Sequence, residues 1–262
     1  MRRDAEPRPR RIFITGASSG IGAALVRHYA QDDVLLGLVG RRREALNALA
    51  AECGGKAQVF VADVADAAAM QSAAAQFVAT VGLPDIVIAS AGVSVGTLTE
   101  YAEDTDAFAR VMQTNVLGMV HTFQPFVAPM REAGGGTLVG IASVAGVRGL
   151  PGAGAYSASK AAVRRYLESL RVELHGSGVR VVTLSPGYID TPMTAVNRYP
   201  MPFLMPADVA AKRMARAIDA GRRHVVVPWQ MGVVAWVLGW LPDPVYDRLF
   251  ARAGRKPRGL PL

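Results

Sequence analysis

The sequence predicts an α/β fold, a doubly wound, seven-stranded parallel sheet with helices on both faces. Three observations predict it. Seven short apolar runs, rich in β-branched residues, recur along most of the 262 residues. Stretches of helical length separate them. The runs are apolar at successive positions rather than alternate ones, as strands covered on both sides require.

The elements follow in order. Strands are expected at RIFIT (11–15), VLLGLVG (34–40), QVFVA (58–62), DIVIAS (85–90), TLVGIAS (137–143), RVVTLS (180–185) and HVVVP (224–228). Helices fill 20–31, 43–53, 66–81, 104–132, 155–175 and 207–220 between them. The clearest stop is EAGGG at 132–136, where three glycines end a long helix. With no linker, repeat or low-complexity block, residues 11–230 read as one domain. A basic arm (1–10) precedes it, and an apolar helix with a basic tail (231–262) extends it.

Composition bounds the function. Hydrophobic residues make up 51% and charged residues 19%, the balance of a globular chain. Cys53 is the single cysteine, so no internal disulfide and no cysteine metal cluster is expected, and a reducing, cytoplasmic setting follows. No metal is expected. The net charge of +8 lies at the ends: residues 1–11 carry +3, residues 248–262 carry +5, and the body is neutral. A nucleic-acid groove needs a basic face on the folded body, so nucleic acid is excluded as a partner and the ends read as solubilising tails. The N-terminal MRRDAEPRPR has no apolar run after its charges, unlike a secretory signal. WQMGVVAWVLGW at 229–240 is apolar all round. As a helix it spans about 18 Å, short of a bilayer core of roughly 30 Å. A peripheral membrane contact through 229–258 is weighed against packing on protein, and packing is preferred because such helices are usually buried.

After the first strand comes TGASSGIG, with Gly16, Gly20 and Gly22 opening a helix. Such a turn brings bare backbone amides and a helix N-terminus to a pyrophosphate, and Ser18 and Ser19 add hydroxyl donors. Strand, turn and helix at the first βα junction make the fold Rossmann-type. The second strand ends in LVGRRR. Gly40 stands where an acid would hold a ribose 2′-hydroxyl, and Arg41 to Arg43 follow; a guanidinium there suits a 2′-phosphate, so NADP(H) is expected over NAD(H), with Arg41 first choice.

AYSASKAAV (155–163) sets Tyr156 and Lys160 at i and i+4 on one helical face. An adjacent ammonium favours a phenolate, so Tyr156 is expected to be acidified and to pass a proton.

Together these residues resemble the short-chain dehydrogenase/reductase family in its compact form, over about 11–230. TGASSGIG, including Ile21, looks like the family's cofactor turn, and Asp63 and Val64 its adenine contact. SAG (90–92), with Ala91, stands where the family commonly has NAG; Ser90 departs from an asparagine that chiefly ties the central sheet together. Asn115 matches the helix asparagine, Ser143 the catalytic serine, and Tyr156 and Lys160 the YxxxK pair. PGYIDT, with Pro186, Gly187, Ile189 and Thr191, resembles the segment flanking the nicotinamide. The resemblance implies hydride transfer between the nicotinamide and a carbonyl or secondary alcohol. Tyr156 would donate the proton, Ser143 would hold the oxygen, Lys160 would bind the ribose and lower the Tyr156 pKa, and Asn115 would hold a relay water. The Met-rich stretch 191–206 reads as a lid, which with VAGVRGLPG suits an apolar carbonyl compound. Compact members form dimers or tetramers, so a homo-oligomer is implied. Two other functions stay open: an NADP(H)-sensing regulator without turnover, and an enoyl reductase or epimerase on the same scaffold.

Overall fold

The computed structural model describes residues 8–260, so most of the expected arm lies outside it. The chain runs β1 (Arg10–Thr15), α1 (Gly20–Tyr29), β2 (Val34–Gly40), α2 (Arg43–Glu52), β3 (Ala57–Val61), α3 (Ala67–Thr80), β4 (Ile86–Ala89) and α4 (Asp104–Met112). A π-helical turn (Gln113–Leu117) joins α4 to α5 (Gly118–Glu132). Then come β5 (Gly136–Ile141), α6 (Gly154–Glu173), β6 (Val179–Pro186), β7 (Ile189–Asp190), α7 (Pro192–Ala195), β8 (Met205–Pro206), α8 (Ala207–Asp219), β9 (His224–Val227), α9 (Trp229–Trp240) and α10 (Asp243–Phe250).

Seven strands form one sheet in the order β3-β2-β1-β4-β5-β6-β9, all parallel, within one or two residues of the expected spans. Alternation along β1 divides the core. Ile12 and Ile14 face α1 and α8, while Phe13 faces the other side, its ring 5.3 Å from Phe77 and 5.0 Å from Phe126. The strand order reverses between β1 and β4, which opens a crevice at the carboxyl ends of the strands. The short pair β7–β8, which the sequence reading does not anticipate, ties the lid to the body.

Within the chain, helix α9 packs along one flank only: Met231 and Ala235 pack on Val144 and its neighbours, while Trp229, Trp236 and Trp240 are 68%, 67% and 77% exposed. The helix has one flank within reach of the sheet, and nothing among the described residues covers the other. The basic tail is not simply solvated, for Lys256 is buried and Arg258 pairs with Asp104 at 2.7 Å.

Candidate active site

A cleft of about 440 Å³ lies at the reversal of strand order. Its floor is the β1–α1 turn. Gly16 and Gly20 have φ of +67° and +56°, and a Cβ on Gly16 would stand 2.6 Å from the Ala91 backbone. One on Gly22 would stand 2.3 Å from the Gly16 carbonyl oxygen. Only glycine fits this close approach. Ser19 starts α1 without a side-chain cap, so the first amides of the helix, at Gly20, Ile21 and Gly22 on the cleft wall, are not taken by a side chain. Such a bare, electropositive cradle fits the pyrophosphate of a dinucleotide.

Arg41 and Arg42 line the cleft beside the turn. Arg41 is 3.7 Å from the Asp63 carboxylate, and both side chains are half exposed, so this pair is weak. Arg42, which the sequence reading ranks below Arg41, donates to the Ser18 hydroxyl at 3.0 Å. Arg43 instead begins α2. Asp63, Val64 and Ala91 complete this end.

The other end holds the polar groups. Tyr156 and Lys160 rise from the first turns of α6 and line the cleft. The Lys160 ammonium is buried and donates to the Ile141 carbonyl at 2.9 Å, and desolvation brings its pKa down to about 8. Ser143 is buried behind the wall, where its hydroxyl accepts from the Ala145 amide at 3.1 Å and donates to the Pro186 carbonyl at 3.3 Å. Burial raises the pKa of Tyr156, and the neighbouring Ser143 hydroxyl works in the opposite direction. The ammonium stands 5.7 Å from the phenol ring centroid, and the cost of desolvating a phenolate dominates.

Asn115 sits in the π turn and is 1% exposed. Its Oδ1 accepts from the Val93 amide at 2.8 Å, while Nδ2 donates to the Val93 carbonyl at 3.0 Å and the Ser159 hydroxyl at 2.9 Å. Both amide hydrogens are engaged within the protein, and the side chain fixes the loop after β4 against α6. Pro186 and Thr191 line the cleft, but Gly187 and Ile189 do not. The Gly187 amide bonds the Val227 carbonyl at 2.8 Å, and Ile189 faces the core before the chain turns at Thr191 into α7.

Some cleft residues escape the sequence reading. Val93, Ser94 and Thr114 stand beside segments it names, whereas Met193 and Val196 belong to the expected lid and Arg42 and Ser90 are named in it. Leu260 carries no signal, because it arrives from the tail, far along the chain from every other lining residue.

Known proteins match this arrangement. The short chain dehydrogenase family model matches residues 10–201. An uncharacterized oxidoreductase of Myxococcus xanthus is 39% identical over 246 residues, 93% of this chain and 97% of that protein. The 2-dehydro-3-deoxy-L-rhamnonate dehydrogenase (NAD(+)) of a Sphingomonas species is 36% identical over 69% of this chain and 72% of that one. The crystal structure of a 3-ketoacyl-(acyl-carrier-protein) reductase from Brucella melitensis complexed with NADH superposes with a TM-score of 0.78 at 25% identity, covering 84% of this chain and 97% of that one. With the parallel sheet, the bare glycine turn and the Tyr156–Lys160 helix all on one cleft, the chain belongs to the short chain dehydrogenase family, NAD(P)-dependent oxidoreductases acting on CH–OH groups.

Proposed function

We propose that the protein interconverts an apolar carbonyl compound and its secondary alcohol, with NADP(H) preferred over NAD(H). One observation carries this reading: Tyr156 and Lys160 share a cleft with the glycine cradle, and Arg41 and Arg42 stand beside that cradle. The bound coenzyme supplies the hydride that the carbonyl carbon accepts. As the C=O π electrons move to oxygen, Tyr156 transfers its phenolic proton there, and the Ser143 hydroxyl, turned from the Pro186 carbonyl it meets in this structure, shares the developing charge by hydrogen bonding. Lys160 holds the ribose hydroxyls, and Asn115 keeps the Val93 loop in register behind it. The remaining cofactor residues, from the turn to Thr191, act through shape and backbone donors.

The NADP preference rests on charge. Gly40 supplies no carboxylate at the end of β2, and the weak Arg41–Asp63 pair leaves a guanidinium that a phosphate can capture. Apolar substrate preference rests on Met193, Val196 and Leu260. Among the relatives, those named for a reaction are a dehydrogenase and a reductase, which does not favour a sensor without turnover or a double-bond reductase. We further assign the protein to the cytoplasm as a homo-oligomer, the exposed stripe of α9 being a surface that a second copy would cover. No helix among the described residues is long and apolar enough to cross a membrane.

The test is oxidation of NADPH and NADH against a panel of carbonyl compounds. Faster turnover with NADPH and with apolar ketones or aldehydes is expected; reduction confined to small charged keto acids would overturn the substrate assignment.

A further inference from the structure

After α10 the chain doubles back across one end of the cleft and touches three separate elements that border it. The Lys256 ammonium donates to the Met193 carbonyl of α7 at 3.0 Å. The Pro257 carbonyl accepts from the Gly96 amide at 2.9 Å, in the loop after β4. Arg258 pairs with Asp104 and Glu103 at the start of α4, and its guanidinium lies 3.5 Å over the Tyr101 ring.

These contacts are specific in a way that a solvated tail would not be. Lys256 is 7% exposed although it is a charged residue, and burial draws its pKa down to about 8. Burying an ammonium against a single carbonyl is unfavourable, so the neighbouring contacts must hold the segment in place. Gly96 is shaped to receive it, since a Cβ there would stand 2.2 Å from the Lys256 carbonyl oxygen. Beyond Arg258, Leu260 packs on the apolar cluster of Val95, Val111 and Ala155, the residue before Tyr156. It lines the same cleft as Tyr156, Met193 and Val196.

We propose that residues 254–260 form the outer wall of the substrate pocket, and that the Leu260 side chain sets the size of the carbonyl compound the site accepts. This rests on the reading of the cleft as the site of hydride transfer. A leucine at a pocket wall discriminates by volume: shortening it admits larger groups, and enlarging it excludes them. Because the wall is pinned by Lys256, Pro257 and Arg258, it should keep its position rather than yield to each substrate.

The test uses the full chain with bound NADPH and three variants, Leu260→Ala, Leu260→Trp and Gly96→Ala, the last displacing the segment without changing it. Two readouts are taken: quenching of the bound coenzyme's fluorescence by acrylamide, and kcat/KM over a series of aryl ketones of increasing size. Leu260→Ala and Gly96→Ala should raise the quenching constant severalfold and move the preferred ketone to a larger one, with about a tenfold gain for bulky members. Leu260→Trp should do the reverse. Unchanged quenching and an unchanged size ranking in all three variants would overturn the wall while leaving the hydride-transfer reading intact. Quenching that changes as stated in a protein that turns over no carbonyl would support the wall and overturn that reading instead.

Discussion

The Lys160 ammonium meets the Ile141 carbonyl at 2.9 Å, at the carboxyl end of β5, the strand that leads into Ser143. One strand end thus anchors the cation and delivers the hydroxyl.

The proton donor is the most direct point to test. Tyr156→Phe removes only the hydroxyl from a residue on the cleft wall. Turnover should fall by about 10²–10⁴-fold while coenzyme affinity, measured by fluorescence titration, stays near the parent value.

Ser143 opposes the burial that raises the Tyr156 pKa. In alcohol oxidation the phenolate is the active form, so the rate rises with pH through the Tyr156 pKa. Ser143→Ala removes the lowering influence and should shift that rise to higher pH, with a loss in kcat of about 10²-fold. Rates across a pH series check both.

Coenzyme choice should depend on the two guanidinia beside the cradle. Arg41→Ala with Arg42→Ala should raise KM for NADPH about 10–100-fold and leave KM for NADH nearly unchanged. Equal effects on both coenzymes would refute the 2′-phosphate assignment.

Lys256 makes stability depend on pH. Its folded pKa of about 8 lies below the ordinary lysine value of 10.5, so the unfolded chain binds the extra proton between them. Stability contributed by this residue should rise as pH goes from about 8 to 10.5, by at most about 3 kcal/mol. Lys256→Met should flatten that rise in urea unfolding.

The exposed stripe of α9 predicts an assembly. Trp236→Glu places a charge in its middle, where Trp236 is 67% exposed, and should lower the mass seen by sedimentation without loss of helicity. An unchanged mass, together with flotation of the parent protein on anionic vesicles, would give the face to a membrane.

Much of this architecture is local in origin and therefore readable in the chain. Each sheet strand is a continuous apolar run bounded by turns, and TGASSGIG and AYSASKAAV each hold their groups within one junction or one helix. What escapes reading depends on distant partners. The π turn at Asn115 stands beside a side chain bound to Val93, 22 residues earlier. The exposure of α9 reflects how little surface the fold offers it, which its composition does not reveal. Lys256 and Leu260 look like parts of a polar tail until the fold carries them to Met193 and the cleft.

The ion pair between Arg258 and Asp104 joins positions 154 residues apart. During vectorial translation every strand of the sheet is synthesised before that arginine. The nucleotide half can therefore assemble while synthesis continues, whereas Asp104 must wait for its counterion. A nascent polypeptide stalled after α10 would carry a finished cradle and an unfinished pocket.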